Sequence, residues 1–409
     1  MPFYEQLLDE LHSIPVIDSH EHLEPESTLV SRPADIFTRI YSHYVTTSLH
    51  AAGLQRDRGW LEDPSVPLDE RWAAARPFID AVRDTGYARA AQITARELFG
   101  IDEISERTYR ELSSRVQANN TPGLFDRVLR ERCHIQAVLN QAGWKGGMAR
   151  EVSREIIEVQ WCDAARLREM LESHCRKWGS RPGDPDEWLD RWLGDIKATG
   201  CPGIKLQAWQ TREPPDAAEA KGHFGALVTN RLDPDGFRGL REYLLHGAIR
   251  RCAALHLVVA VHTGIIWECW QDFTQTNPLF MIPLLRRYRD TTFDLYHGGI
   301  PWVRETAVIG NQYPNTVLNM VWCHQISPHM TEHMINEWLD LVPVNKIIGF
   351  GGDSSDGPEK TLGALRLAQE NIARALALRV ERGQMSERRA VEICRMWMYE
   401  NPKRVYGLG

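Results

Sequence analysis

The 409-residue sequence has little cysteine and spreads it thinly, at positions 133, 162, 175, 201, 252, 269, 323 and 394, with no C-x-x-C pair. That spacing excludes a zinc ribbon and a disulfide scaffold, and the apolar surroundings of most of them read as buried thiols of a cytosolic protein. Long hydrophobic runs are missing too. The longest uncharged apolar-rich stretch, Cys252 to Trp267, has 16 residues and includes two His, a Thr and a Gly, short of the roughly 20 apolar residues a membrane helix needs. The N-terminus, with Glu5, Asp9 and Glu10 inside Tyr4 to His12, lacks the basic start, apolar stretch and cleavage site of an export signal. Positive charge is not in excess: 48 Lys+Arg stand against 55 Asp+Glu, a formal charge of −7. Neither nucleic acid nor a membrane surface is therefore the expected partner. No fixed-period repeat, low-complexity tract or linker divides the chain.

What is present is the balance of a globular protein, 43% apolar and 25% charged, which excludes disorder, collagen and coiled coil. Short apolar runs bounded by turn residues recur between helical patterns: Pro15 to Asp18, Ile135 to Asn140, Ile156 to Trp161, Gly203 to Gln207, Leu257 to His262, Thr291 to His297, Thr316 to Trp322 and Lys346 to Gly351. Strands alternating with helices predict an α/β fold, and eight is the number that closes a (β/α)8 TIM-type barrel. The first two runs are far apart, with helical patterns around Leu68 to Asp84, Ala88 to Phe99 and Pro122 to Arg132. A connection that long predicts a helical insertion after strand 1, spanning 27–132 and serving as a lid, within a single domain over 1–409.

Several runs end in metal-binding side chains. The first reads Val16-Ile17-Asp18-Ser19-His20-Glu21-His22. Residues i and i+2 of an extended chain point the same way, so this H-x-H aims two imidazoles at one point. Later runs end at Lys205 and Gln207, at His262, at His297 and at Asp353. In a barrel all such ends open on one face, where His20, His22, His262, His297, Asp353 and Lys205 would converge. Imidazoles with a carboxylate are a ligand set for zinc or a similar divalent ion. Any one of these histidines alone reads more often as a hydrogen-bonded structural residue; the weight lies in their shared placement.

The pattern resembles the amidohydrolase superfamily: H-x-H after strand 1 (His20, His22), Lys after strand 4 (Lys205), His after strands 5 and 6 (His262, His297) and Asp after strand 8 (Asp353). Tyr296 to Pro301 and Gly351 to Ser354 are similar to its amidohydrolase-related branch of metal-dependent hydrolases and decarboxylases. Ser42-His43-Tyr44, Leu49 to Gly53 and Asn401 to Tyr406 resemble uronate isomerases. Those enzymes follow the strand 8 Asp with Ser-Arg, where the Arg helps hold the substrate carboxylate; this chain has Ser355 instead.

The resemblance implies a divalent metal, one zinc on His20, His22, His262 and Asp353, or two metals bridged by a carboxylated Lys205 with His297 as a further ligand. A metal-held water ionises near pH 7, which fits hydrolysis of a small-molecule amide, lactone or ester. Asp353 is then the general base, and His297 polarises the substrate carbonyl. The alternatives are decarboxylation or sugar-acid isomerisation on the same ligands, and, in another class, a non-catalytic metal-binding barrel. Gln207, Trp209, Trp267, Trp302 and His324 are the expected substrate contacts, with Arg39 and Arg304 as cations for a substrate carboxylate. His324 reads equally as a buried structural histidine beside Trp322 and Cys323. Tryptophan, at 14 residues, outnumbers Tyr and Phe at 11 each, which suits an aromatic-walled pocket. The partner is a small molecule, with homo-oligomerisation left open. His329-Met330-Thr331-Glu332-His333 fits an H-x-x-E-H protease motif, but it sits on an expected helix after strand 7 with no third ligand in view.

Overall fold

The structure, a computed structural model, describes residues 2–141, 149–151 and 163–409. Eight strands are present among them: β1 (Val16–Glu21), β2 (Ile135–Asn140), β3 (Ala149–Glu151), β4 (Gly203–Gln207), β5 (Val258–His262), β6 (Phe293–Tyr296), β7 (Thr316–Asn319) and β8 (Ile347–Ile348). Seven fall on expected runs, and two of these, Ile135 to Asn140 and Gly203 to Gln207, match end to end. The run Ile156 to Trp161, expected as the third strand, lies outside the described residues. Strand pairing among the described residues does not join all eight strands into one closed ring. β8 stops after two residues because the chain behind it, Gly349 to Asp353, leaves strand geometry.

The chain divides into two compact units. The first comprises Met1–Ala149, Ile265–Phe273 and Asn319–Arg404. Here β1 lies parallel to β2, pairing Ile17 with Ala137 and Asp18 with Val138, and all six residues of β1 are buried. Burial on both faces is usual for a parallel strand. It makes the acidic and histidine residues of β1 conspicuous.

Between β1 and β2 the chain forms successive short and long helices, among them Tyr44–Ala51, Arg58–Glu62, Leu68–Val82, Gly86–Phe99 and Tyr109–Asn119. They share a core of Ile36, Phe37, Ile40, Leu49, Leu61, Trp72, Ile79, Phe99, Leu112 and Val116. Trp72 stacks flat on Tyr109 at 4.3 Å. Helix Glu359–Glu381 packs along Gly86–Phe99, so closely that a Cβ on Gly363 would stand 2.1 Å from the Ala90 carbonyl oxygen.

The second unit comprises Arg150–Gly264, Thr274–Leu318 and Val405–Gly409. β4, β5 and β6 run parallel in register, Lys205 beside Ala260 and His262 beside Tyr296, and β6 pairs with β7 through Leu295 and Leu318. Its helices begin on strong local signals. Asp184 and Asp233 cap Pro185–Ala198 and Pro234–Leu255 by accepting from the N–H of Glu187 and Gly236, with proline at the first helical position. A side-chain acceptor at the cap and a residue with no N–H to lose satisfy the free donors of a helix start. No described helix is long and apolar enough to cross a membrane. The seven described cysteines are free thiols.

Candidate metal centre

In the first unit, β1 and the residue just past its end place His20 and His22 on the same side, in keeping with the two-residue period of an extended chain. The loop behind β8 brings Asp353 to them. The three donor atoms form a nearly equilateral triangle: His20 Nε2 to His22 Nε2 is 3.1 Å, and each lies 3.3 Å from Asp353 Oδ1. Four bonds of about 2.0–2.1 Å toward the corners of a tetrahedron space their donors about 3.3 Å apart. The spacing and donor types thus fit one divalent transition-metal ion. His20 and Asp353 are buried, whereas the His22 side chain keeps 34% of its exposure, so the triangle opens toward solvent on one side.

Backbone contacts hold the two segments together. The Asp353 N–H donates to the His20 carbonyl at 2.9 Å, and the His22 N–H to the Ser354 carbonyl at 2.9 Å. Asp353 itself has φ +54°, a left-handed conformation that a non-glycine residue holds only when its surroundings compensate. The Tyr44 hydroxyl donates to the Asp353 carbonyl at 2.7 Å. The Tyr44 ring is stacked on Trp322 and Tyr87; burial first, and the Asp353 charge second, push its phenol well above the usual range. It therefore stays a neutral donor.

The flanking acids are buried as well. Burial pushes the Asp18 carboxyl up to about 6, against hydrogen bonds with Glu21 and the His20 and Gly352 N–H groups that pull it down. Burial, then the Asp18 carboxyl, pushes Glu21 well above the ordinary carboxylate range. Asp356, three residues past Asp353, behaves oppositely: burial would raise it, but Lys360, His43 and Arg58 hold it well below that range. Lys360 Nζ and Arg58 Nη2 each lie 3.0 Å from its oxygens.

Other expected residues occupy varied settings. His262 and His297 meet in the second unit, His297 Nε2 lying 3.0 Å from His262 Nδ1, and Lys205 places Nζ 4.3 Å from the ring centre of Tyr296. Gln207 ends β4, Trp209 donates Nε1–H toward Glu242 at 3.4 Å, and Trp302 is half-buried at the start of helix Val303–Gln312. In the first unit, Trp267 packs against His43 at 4.4 Å and beneath the Arg58 guanidinium at 4.7 Å. His324 is buried, Nε2 against the Gly349 carbonyl and Nδ1 against the Asn371 amide. Arg39, expected as a cation for substrate, is buried and bonded to Asp356 O, Leu29 O and Asn120 Oδ1, which spends its guanidinium on the fold. Arg304 is exposed.

His329 and His333 are exposed neighbours on helix Pro328–Leu341. No third ligand joins them among the described residues. Sequence reasoning missed Asp18, Glu21 and Tyr44 as supports of the site. The available signal was two acids embedded in a strand otherwise built for burial.

The sequence pattern of the amidohydrolase family matches residues 179–408, which contain Asp353 and more than half of the chain. The protein belongs to the amidohydrolase superfamily. This amidohydrolase has an α/β fold matching solved TIM-barrel relatives. The uronate isomerase of Thermotoga maritima superposes with a TM-score of 0.80 at 15% identity, covering 99% of this chain and 97% of that one. The glucuronate isomerase of Caulobacter crescentus gives 0.77 at 18% identity, covering 100% and 94%. A Lactobacillus casei protein assigned by prediction as a metal-dependent hydrolase gives 0.65 at 15% identity, covering 98% and 97%. No curated protein sequence matches the amidohydrolase described here.

Proposed function

We propose that this amidohydrolase is a metal-dependent isomerase of small sugar acids. The observation that carries the reading is the length of its likeness to uronate isomerases, 99–100% of this chain. That likeness takes in the helical segment between β1 and β2, which lies outside the family match at 179–408 and supplies Tyr44 to the Asp353 loop.

A divalent cation on His20, His22 and Asp353 would supply Lewis acidity to a carbonyl or hydroxyl oxygen of the substrate. Isomerisation then needs a proton moved between adjacent carbons. Asp353 is the carboxylate of the triangle and our choice for moving that proton, with Tyr44 fixing its main chain. His297 stays our candidate to polarise the carbonyl, and His262 our fourth ligand, both on the strength of their strand-end placement. Zinc suits this donor set. A single ion is favoured by Lys205, whose ammonium is attracted to the face of Tyr296; an anionic carbamate would be repelled by it. Gln207, Trp209, Trp267 and Trp302 remain the proposed substrate surroundings, whereas His324, buried with both ring nitrogens bonded to Gly349 and Asn371, serves the fold. One domain, a (β/α)8 TIM-type barrel with 27–132 as its lid, belongs to the same proposal.

Ser355 favours a second reading, hydrolysis of an amide, lactone or ester. Its hydroxyl donates to Asp356 at 2.9 Å where uronate isomerases carry an arginine. A panel of uronates, lactones and N-acyl compounds, run in heavy water and in oxygen-18 water, separates the two. Deuterium on carbon of a converted uronate supports isomerisation. Oxygen-18 in a cleaved product, with every uronate untouched, overturns it in favour of hydrolysis.

A further inference from the structure

We propose that Asp18 and Glu21 are positioning residues, a buried pair of carboxyl groups that clamps the Asp353 loop to β1 and so sets the metal triangle. The inference rests on the metal-site reading and goes beyond it, since neither side chain belongs to the triangle.

The residues on both sides of Asp353 are gripped by side chains on both sides of His20. Asp18 Oδ1 accepts from the Gly352 N–H at 3.1 Å and from the His20 N–H at 3.1 Å. Glu21 Oε2 accepts from the Ser354 N–H at 2.5 Å, while its Oε1 accepts from the Thr361 hydroxyl at 2.7 Å. The fit is close. A Cβ on Gly352 would stand 2.2 Å from Glu21 Oε1, so a side chain there would push the loop away from β1.

Burying two carboxyl groups is costly, and apolar residues of similar size often serve stability as well or better. What apolar residues cannot do is accept from two specific N–H groups and thereby fix where the intervening Asp353 stands. Partners of metal ligands act in this way when they orient the ligand rather than bind the ion.

The test is cobalt(II) binding to the full-length protein, read by affinity and by the visible absorption of the bound ion, which reports coordination geometry. Asp18→Ala and Glu21→Ala are expected to bind cobalt about 10–100-fold more weakly, with altered absorption. Glu21→Gln keeps an oxygen for the Ser354 N–H and is expected to recover most of the affinity. If the wild type binds no cobalt, or His20→Ala binds it as the wild type does, the metal reading fails. If His20→Ala loses cobalt while Asp18→Ala and Glu21→Ala keep wild-type affinity and absorption, the clamp fails alone. Should the alanine variants not fold, Thr361→Val removes one donor to Glu21 and carries the test. A smaller shift in the same direction supports the clamp, and unchanged affinity and absorption overturn it.

Discussion

His20 and Asp353 touch twice: through the backbone, where the Asp353 N–H donates to the His20 carbonyl at 2.9 Å, and through their side chains, at 3.3 Å. A main-chain bond beside a ligand contact leaves the two donors little freedom before an ion arrives. Such preorganisation lowers the ordering cost of binding.

Single replacements of His20, His22 or Asp353 by alanine are therefore expected to strip the protein of its metal. His329→Ala is expected to retain it, because no third donor joins His329 and His333 among the described residues. Elemental analysis after dialysis decides; metal lost from His329→Ala and kept by His20→Ala would reverse the assignment of the site.

Chelation should lower stability as well as remove the ion. A ligand that binds only the folded state at about 100 times its dissociation constant adds about 2.7 kcal/mol. Thermal melts before and after chelator, then after added zinc, should show a fall and a recovery in the wild type. The same treatment should leave the melting temperature of His22→Ala unmoved.

The pair Arg71 and Asp35 makes a separate prediction about the helical segment. Arg71 is 2% exposed, its Nη2 lies 2.5 Å from Asp35 Oδ2, and Asp35 also caps the turn at Phe37 and Thr38. Asp35→Ala leaves a buried guanidinium uncompensated and should cost about 3–5 kcal/mol, measured by denaturant unfolding. A loss below about 1 kcal/mol, the range of an exposed pair, would contradict the burial assigned to Arg71.

His324 should make the protein acid-sensitive in a defined window. Burial pushes its imidazole from about 6.5 down to about 4, only partly opposed by its bond to the Gly349 carbonyl. The folded state thus holds it neutral while the unfolded chain takes up a proton first. Its contribution is complete above pH 6.5 and is lost as pH falls toward 4, up to about 3 kcal/mol. Urea unfolding at pH 7 and pH 4.5 should show His324→Gln losing less stability than the wild type. Equal losses would mean that His324 does not titrate in this window.

Much of the frame is legible in local sequence. The runs Ile135 to Asn140 and Gly203 to Gln207 are short, apolar and bounded by turns, and they form strands over those same residues. Ser327-Pro328 announces its helix, with the Ser327 hydroxyl accepting from the Met330 N–H. Placing His20 and His22 on one side needs only the two-residue period of an extended chain.

Other features have no local signature. His324 carries the same imidazole as His22, yet Gly349 and Asn371 close over it while His22 stays partly open. Asp353 reaches His20 only because β1 and the loop behind β8 exchange backbone hydrogen bonds, and Asp18 and Glu21 gain their meaning from N–H groups more than three hundred positions away. Residue order alone carries the donor types, the strand and helix periods and the family. Which donors meet and which acids hold them is set in the folded chain, because such pairings depend on close packing between distant segments rather than on any period along the chain.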